Sequence, residues 1–310
     1  MVLAFTFLVN ARGCIDYSVH KIITNAPGKS PGRFCLKHMK IAIQGIKGAF
    51  HEEAARLHFR STSIEILPCL TFGELALAVS SGVADRGIMA IENTISGTIL
   101  NNLELIREHR LWVSDEVIMR IRQSLGSVPG ASLDTIRKVY SHYMALNQCR
   151  PFFKAYPDVE LIVSDDTALS IREVALKGSV EMAAIGSALA MKEYGLVVLG
   201  EEIEADKNNY TRFLILSNQP QPVDAPTKAT ISLVLPQRPS AFPQMIDLLQ
   251  RHKVQLTKIE SATIPGSPWH YRYYLDLRYE QEVQLEHLLK ALAPLTESLH
   301  LMGKYTATTL

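Results

Sequence analysis

The chain of 310 residues is poor in the residues that form cross-links and metal sites. It has four cysteines, at positions 14, 35, 69 and 149, and they form no CxxC motif and no Cys/His cluster. This spacing argues against a disulfide framework or a structural zinc site and favours a reducing compartment. No apolar run approaches the ~18 residues that a membrane span requires. We therefore expect a cytoplasmic protein with no membrane partner.

The chain also has no large excess of either positive or negative charge. Lys and Arg number 32 against 31 Asp and Glu, so the net charge is +1, and no basic stripe is present. This balance argues against nucleic acid or an anionic membrane as the main partner. The sequence contains no G-x-S-x-G, P-loop, HExxH or complete G-x-G-x-x-G motif, which argues against the enzyme classes that depend on them. The apolar fraction of 47% is ordinary for a globular protein.

Residues 1–38 differ from the rest of the chain. They contain five Lys and Arg and one Asp, and Met39-Lys40 immediately precedes the first strong strand pattern. The basic, acid-poor composition hints at an organelle transit peptide, and a start codon assigned too early is the alternative. We expect this extension, residues 1–38, to be disordered or not native and to lie outside the fold.

Strand and helix patterns alternate from residue 41 to residue 216, which predicts an α/β fold with parallel sheets covered by helices. The alternation occurs in two runs, so we expect a domain over 39–219 with two lobes, the second over about 116–200, in a periplasmic-binding-protein-like arrangement. Ligands of such sheets bind beyond the carboxyl ends of the strands. The predicted strands cover 41–45, 64–69, 86–91, 116–126, 138–141, 161–163, 182–185, 197–198 and 213–216, and the helices cover 50–59, 72–81, 99–109, 143–156, 167–177 and 187–194.

A proline-containing linker follows, with prolines at 220, 222 and 226. Beyond it, residues 228–310 read as strand, helix, strand, strand, helix and strand. That order is the ferredoxin-like βαββαβ plan. A small unit of this kind behind a catalytic domain is often regulatory, by analogy of fold.

Four loops carry candidate chemistry. The first, 45–48, is a glycine turn that either binds an anion or is only a tight turn. In 92–98, Glu92 at a strand tip must be solvated, paired or functional. His142 follows the strand that begins the second lobe and is either structural or functional. In 208–213, Arg212 either binds an anion or forms an ion pair at an edge strand.

Taken together, these loops resemble the prephenate dehydratase family from residue 41 to the C-terminus. The matching segments are the glycine turn in 41–51, a "PIENS…G"-like segment in 87–97, Ser141-His142 with Gln148-Cys149, Thr167-Ala168, and Asn209-Tyr-Thr-Arg-Phe213, which matches "NxTRF". Within the third segment, Tyr143 and Met144 replace the proline and glutamine of the family motif. Five motifs in the family order are more specific than any one of them.

The resemblance implies a hydro-lyase that converts prephenate into phenylpyruvate, carbon dioxide and water without a metal or cofactor, in phenylalanine biosynthesis. Thr211 would hydrogen-bond the departing hydroxyl, and Glu92 and Asn93 would hold the ring from the facing lobe. Arg212 would orient the loop or pair with a carboxylate, while Ser141 and Thr167 would cradle the anionic side chain. The full set of implied substrate contacts is Arg212, Phe213, Ser141, His142, Thr167, Ala168, Thr94 and Gly97.

The tail resembles an ACT domain, the amino-acid-sensing unit found in these enzymes. The resemblance implies feedback by phenylalanine, bound between paired ACT domains of a homodimer or homotetramer. Ser240, Gln255 and Ala262-Thr263 depart from the family motifs that bind phenylalanine, so catalysis carries over better than inhibition. The implied effector residues are Ser240, Ala241, Phe242, Leu256, Glu260 and Ser261.

Two alternative functions stay open from the sequence. An arogenate dehydratase performs the same elimination on the amino-acid analogue of prephenate, and no residue pattern separates the two substrates. A non-catalytic amino-acid sensor with a two-lobed cleft is the other, and the intact Thr211-Arg212-Phe213 segment with Glu92 argues against it.

Overall fold

The structure is a computed structural model that describes residues 6–9, 15–18 and 38–308. The expectation for residues 1–38 therefore falls largely outside the described residues. The exceptions are strands β1 (Thr6–Val9) and β2 (Ile15–Ser18), which pair antiparallel.

The first lobe is built on a sheet with the strand order β4-β3-β5-β13-β7. Three of its strands, β3, β4 and β5, run parallel, and β13 is antiparallel to both of its neighbours. Helices α1, α2 and α3 pack on the sheet. The strands are β3 (Met39–Gln44), β4 (Ile64–Cys69), β5 (Arg86–Asn93) with the short β6 (Gly97–Thr98), β7 (Trp112–Arg120) and β13 (Tyr210–Ser217), and the helices are α1 (Phe50–His58), α2 (Phe72–Ser80) and α3 (Leu100–Glu108).

The second lobe has its own sheet, with the order β10-β9-β11-β8-β12. Here β9, β10 and β11 are parallel, whereas β8 runs antiparallel to both β11 and β12. The strands are β8 (Ser124–Ser127), β9 (Lys138–His142), β10 (Glu160–Ser164), β11 (Met182–Gly186) and β12 (Val197–Gly200), and the helices are α4 (Tyr143–Cys149), α5 (Thr167–Lys177), α6 (Ala188–Glu193) and a 3₁₀ turn (Phe152–Ala155).

Three expectations about these lobes are wrong. Both sheets are mixed rather than parallel. The sequence could not predict this, because the periodicity of a strand does not depend on its direction. Residues 116–126 are two strands in different sheets, so the second sheet begins at Ser124 and residues 116–120 belong to the first. The helix expected over 143–156 ends at Cys149, because Pro151 has no backbone N–H with which to continue the α-helical hydrogen bonds.

The C-terminal unit (residues 228–305) has the predicted element order. Its sheet runs β15-β16-β14-β17 with every neighbour antiparallel, and α7 and α8 cover one face through an apolar core. The strands are β14 (Lys228–Val234), β15 (Gln255–Ile264), β16 (Ser267–Arg278) and β17 (Ser298–Tyr305), and the helices are α7 (Ala241–Arg251), α8 (Glu282–Leu292) and a 3₁₀ turn (Ala293–Leu295).

The C-terminal unit joins the first lobe edge to edge. β17 lies beside β7 at Gly303 and Val113. A Cβ at residue 303 would lie 2.1 Å from the Val113 carbonyl oxygen, so only glycine permits this approach. The uncovered face of the unit's sheet packs on the first lobe, where Tyr274 and Tyr305 share a core with Leu214 and Leu216 of β13. The face of β13 that carries Leu214 and Leu216 is therefore buried by the C-terminal unit.

The two lobes meet where the loop after β3 contacts α6. The Ser187 hydroxyl donates to the Gly48 carbonyl oxygen at 2.6 Å, and a Cβ at residue 48 would lie 2.5 Å from the Cα of Ala190. Gly48 also has a φ of +85°, which side chains disfavour. The glycine turn identified in the sequence thus fixes the distance between the lobes.

Candidate active site

A cavity of about 430 Å³ lies between the two lobes, within the usual range for small-molecule sites. The first lobe supplies the start of α1 and the end of β5, the second supplies the starts of α4 and α5, and β13 closes the floor. We call this cavity the cleft. Its lining residues are Gln44, Ala49, Phe50, His51, Phe72, Ala90, Asn93, Ser96, Ile99, Ile121, Gln123, His142, Met144, Ala145, Gln148, Asp165, Asp166, Thr167, Asn209, Thr211 and Phe213.

Asn93 and Thr211 are directly paired across β5 and β13. The Asn93 side-chain oxygen accepts hydrogen bonds from the backbone N–H groups of Ile95 and Ser96, both at 3.0 Å. Its amide nitrogen must therefore face the other way, where it donates to Thr211 Oγ1 at 3.0 Å and to Asn209 Oδ1 at 2.8 Å. Because Thr211 accepts this bond, its own O–H is free to donate into the cleft.

His51 lines the cleft beside these two residues, and the sequence analysis assigned it no role. Its ring lies 5.1 Å from the Phe213 ring in a T-shaped arrangement and 5.5 Å from the Phe72 ring. The backbone N–H of Ala90 donates to His51 Nε2 at 3.4 Å, which places the proton of a neutral ring on Nδ1. Burial lowers the pKa of His51 to about 4, so the ring is uncharged at neutral pH.

The second lobe presents helix starts to the cleft. Asp166 caps α5 by accepting from the Leu169 backbone N–H at 2.9 Å, and Thr167 follows it. His142 accepts from the Met144 N–H at 3.3 Å, which makes it the cap of α4. Helix N-termini carry partial positive charge and unpaired N–H groups, so this wall of the cleft suits an anion.

Gln148 is a further cleft residue for which sequence reasoning proposed no role. Its side-chain oxygen accepts from Asn209 Nδ2 at 3.0 Å, which links the second lobe to the Asn93–Thr211 pair. The signal was available, since Gln148 lies in the motif that contains His142. The residue's contact with Asn209 is a tertiary one that no local pattern shows.

Formal charge in the cleft is negative. Among the lining residues, Asp165 and Asp166 are the only charged side chains, and no Lys or Arg is present. Gln123 is 3% exposed, and its side-chain oxygen has no hydrogen-bond partner among the described residues. The cleft therefore offers acceptor groups as well as helix N-termini.

Glu92 and Arg212 lie behind the cleft, which contradicts their expected contact with substrate. Successive side chains of a strand point to opposite faces, so the cleft positions of Asn93 and Thr211 turn Glu92 and Arg212 towards the C-terminal unit. Arg212 Nε donates to Glu116 Oε2 at 2.7 Å and Nη2 donates to the Tyr305 hydroxyl at 2.9 Å. Arg212 Nη1 also donates to Asp276.

These charges are buried and mutually compensated. Burial alone lowers the pKa of Arg212, but the carboxylates of Asp276 and Glu116 outweigh it and hold the pKa above its usual range. Burial likewise raises the pKa of Asp276, and the Arg212 guanidinium reverses that shift and holds the pKa below its ordinary value. Both groups are thus charged at neutral pH, at an interface where an unpaired charge would be costly.

Four other expected substrate contacts also lie outside the cleft. Ser141 is fully buried and donates to the Ile185 carbonyl oxygen at 2.7 Å. Thr94 donates to the Asn208 carbonyl oxygen at 2.7 Å and so supports the loop before β13. Ala168 is buried in the core between the lobes, and Gly97 is exposed. Of the expected substrate contacts, the structure places Phe213, His142 and Thr167 in the cleft.

The expected effector residues are divided in the same way. A groove of about 360 Å³ on the C-terminal unit is lined by Ala241 and Phe242, and Ser240 is their neighbour. Leu256 packs against the unit's core instead. Glu260 accepts a hydrogen bond from Thr98 of the first lobe, and Ser261 lies on the same edge strand, so neither lines the groove.

Neither a metal site nor a membrane-spanning helix is found in residues 38–308. No group of three or more His, Cys, Asp or Glu side chains in this part of the chain could hold a metal ion. None of its helices is both long and apolar enough to cross a membrane.

A sequence model of a protein family, described as prephenate dehydratase, matches residues 41–221 of the chain. The chain belongs to the prephenate dehydratase family. It is 32% identical over 271 residues to the bifunctional chorismate mutase/prephenate dehydratase of Aquifex aeolicus, covering 87% of this chain and 74% of that protein. It is 31% identical over 284 residues to the chloroplastic arogenate dehydratase/prephenate dehydratase 1 of Arabidopsis thaliana, covering 86% of this chain and 72% of that protein.

Solved structures agree with this family. The prephenate dehydratase of Arthrobacter aurescens in complex with L-Phe has a TM-score of 0.78 and 25% identity, covering 86% of this chain and 90% of that one. A structure described as GqqA, a novel type of quorum quenching acylase, has a TM-score of 0.80 and 29% identity, covering 87% of this chain and 98% of that one. The mixed α/β fold is thus shared with prephenate dehydratases.

Proposed function

We propose that this chain catalyses the decarboxylating dehydration of prephenate to phenylpyruvate, with Thr211 aiding departure of the ring hydroxyl. The observation that carries the proposal is the Asn93–Thr211 hydrogen bond, which leaves one free O–H donor on the floor of the cleft. The opposite wall presents helix starts, where the substrate's carboxylates would bind.

The elimination moves one electron pair through the ring. The bond between the ring and its carboxylate breaks, carbon dioxide leaves, and the electrons complete the aromatic ring as the C–O bond to the hydroxyl breaks. The hydroxyl leaves as water after it gains a proton. A threonine hydroxyl is a weak acid, so Thr211 would act by positioning and partial proton donation. Help of this kind contributes roughly 10²- to 10⁴-fold in rate.

Neutral His51 and apolar Phe213 would support this step. Both enclose the floor of the cleft beside Thr211. Exclusion of water strengthens a hydrogen bond to the departing oxygen, because the local dielectric is low. His142 would act as the cap of its helix, with its exposed ring at the rim of the cleft.

Arogenate is a second candidate substrate, and the charge of the cleft favours it. Arogenate carries an ammonium group where prephenate carries a keto group. Asp165 and Asp166 line the cleft without any Lys or Arg, so the ammonium group of arogenate would be attracted to them, whereas the neutral keto group of prephenate would not. The printed names of the relatives include both activities.

The C-terminal unit would be an ACT domain over 228–310, behind a catalytic domain over 39–219 with a periplasmic-binding-protein-like pair of lobes. Phenylalanine would bind in the groove at Ala241 and Phe242; that it is the effector is supported by the Arthrobacter enzyme, which is described in complex with L-Phe. Pairing through this unit would give a homodimer or homotetramer. Free Cys69 and Cys149 suit the reducing cytoplasm.

In the deciding experiment, the purified protein is incubated in parallel with prephenate, with arogenate and with an N-acyl amide. We expect phenylpyruvate, detected by its absorbance in base, from prephenate, and phenylalanine from arogenate. The amide tests the activity named for GqqA. A protein that binds the first two substrates but converts neither would instead be a sensor. Millimolar phenylalanine should lower turnover, and a flat response would show that the altered tail has lost its effector.

A further inference from the structure

The C-terminal unit reaches the rear of the two strands that carry the catalytic pair. β5 and β13 are paired in register, Asn93 with Thr211 and Glu92 with Arg212. Asn93 and Thr211 face the cleft, whereas the residues before and after them in the chain, Glu92 and Arg212, face the C-terminal unit. Each residue of the cleft pair is therefore bonded to a charged residue on the opposite face: Thr211 to the buried Arg212, and Asn93 to Glu92, whose side chain is 36% exposed.

The first of these charges is held by three strands. Arg212 contacts Asp276 of β16, Tyr305 of β17 and Glu116 of β7. Asp276 in turn accepts from the Thr230 hydroxyl at 2.7 Å. Arg212 is 8% exposed and Asp276 is 4% exposed, so the pair is shielded from water and its geometry is constrained.

The second charge is held by a lysine of the C-terminal unit. Lys258 of β15 donates to Glu92 Oε1 at 2.8 Å and to Thr98 Oγ1 at 2.6 Å. Its side chain is 13% exposed. Both strands of the catalytic pair are thus tied to the C-terminal unit by charge-assisted hydrogen bonds, which are stronger than neutral ones.

The strand pair between these ties is irregular. The register of β13 against β5 shifts between Arg212 and Phe213, so that Phe213 faces Ala90 instead of Ile91. A bulge of this kind bends a strand and re-aims its side chains. The extra residue, Ile91, lies on β5, whereas β13 pairs in regular register with β7 from Tyr210 to Ile215. The pairing of β5 with β13 therefore does not by itself fix how Asn93 and Thr211 face each other, so anchors on the adjacent Glu92 and Arg212 can affect that geometry.

We propose that Asp276 and Lys258 are positioning residues, which hold Thr211 and Asn93 in the cleft by binding Arg212 and Glu92 behind it. The C-terminal unit is then part of the catalytic machinery even without an effector. This inference rests on the proposed function, because it concerns the geometry of the same elimination. Small errors in such geometry are costly, since a displacement of about 1 Å can reduce a rate by roughly 100-fold.

Asp276→Asn tests the proposal in the full-length chain. The amide keeps the volume of the side chain and an acceptor for Thr230, but it removes the charge that faces Arg212. We expect kcat to fall by about 10- to 100-fold with KM within about threefold, because ground-state binding does not depend on Thr211. Asp247→Asn is the matched control, since it removes an ion pair with Arg251 on the exposed face of α7.

The readout that excludes a merely structural role is a double-variant cycle. If Asp276 acts through Thr211, then adding Asp276→Asn to Thr211→Ala lowers kcat no further than Thr211→Ala alone. Independent damage would multiply the two losses. Circular dichroism and thermal unfolding show which variants are folded at the assay temperature. Should Asp276→Asn not fold, Lys258→Gln applies the same cycle against Asn93→Ala at a less buried site.

Two results would overturn the inference: a folded variant with wild-type kcat, or losses that multiply in the cycle. Failure of the proposed function is distinct, because the wild-type protein would then convert neither prephenate nor arogenate. An active wild type with an equally active Asp276→Asn variant rejects the positioning role alone.

Discussion

Thr211 and Arg212 are neighbours in the chain, yet their side chains serve opposite faces of one strand. Thr211 Oγ1 accepts a hydrogen bond from Asn93 at 3.0 Å in the cleft, while Arg212 Nε donates to Glu116 at 2.7 Å behind it. The alternation of a β-strand makes this division necessary. A single segment therefore joins the floor of the cleft to the interface with the C-terminal unit.

Replacement of the Thr211 hydroxyl should affect turnover more than binding. We expect Thr211→Ala to lower kcat by about 100-fold or more, with a much smaller rise in KM, because the lost donor acts mainly on the departing hydroxyl. Thr211→Ser keeps the hydroxyl and should retain most of the activity. Thr263→Ala, at an exposed position of β15, removes the same atoms far from the cleft. Steady-state kinetics of the three variants would refute the role if Thr211→Ala turned over like Thr263→Ala.

Neutralising the aspartates should change which substrate is preferred. Asp165→Asn and Asp166→Asn keep the side-chain volume, and asparagine still caps a helix at position 166. Each change should lower kcat/KM for arogenate relative to prephenate by roughly 10-fold, since one close charge pair contributes about 1.4 kcal/mol at a partly exposed site. Competition assays with both substrates measure the ratio. An unchanged ratio in both variants would remove the aspartates from substrate selection.

Burial of His51 should make the protein less stable in mild acid. The folded pKa of about 4 lies below the ordinary value of 6.5, so between these pH values the unfolded chain binds a proton that the folded chain does not. Stability is then full above pH 6.5 and falls as the pH drops towards 4, by roughly 3 kcal/mol in total.

Urea unfolding at a series of pH values measures this slope. His51→Gln keeps an acceptor for the Ala90 N–H and should reduce the slope, leaving the part that comes from His58, whose pKa burial also lowers. His287→Gln, at an exposed site on α8, is the comparison and should retain the wild-type slope. Equal slopes in both variants would show that His51 is not the buried titrating group.

Gly48 should be intolerant of a side chain for two separable reasons. Its φ of +85° strains any other residue, and an added Cβ would lie 2.5 Å from the Ala190 Cα. Gly178→Ala provides the control, because Gly178 has a φ of +66° but no atom within 4 Å of an added Cβ. Strain alone costs about 1–3 kcal/mol, so Gly48→Ala should lower Tm clearly more than Gly178→Ala. Equal losses of Tm in the two variants would mean that the contact between Gly48 and Ala190 rearranges without a cost in stability.

The order of helices and strands could be predicted from the sequence because apolar periodicity is local. The direction of β13 could not, because a period of two is the same for a parallel and an antiparallel strand. Residues 116–126 were predicted as one strand for a related reason. The apolar alternation continues across the point where the chain leaves the first sheet and enters the second.

The site was predicted in part for a similar reason. The motifs identified the segments that meet, and Asn93 and Thr211 do line the cleft. Which residue of each adjacent pair faces the cleft depends on the face that the C-terminal unit covers, and that is a tertiary property. His51 carried a weak signal, as the second residue of a helix that follows the glycine turn, but its enclosure by Phe72 and Phe213 arises only on folding.

A crystal structure of Thr211→Ala with prephenate tests the location of the chemistry most directly, because the variant should bind substrate without consuming it. We expect the ligand between the lobes, with its ring hydroxyl facing residue 211 and its carboxylates towards the starts of α4 and α5. A ligand bound outside this cavity, or one whose ring hydroxyl faces away from residue 211 and Asn93, would contradict the proposed reaction.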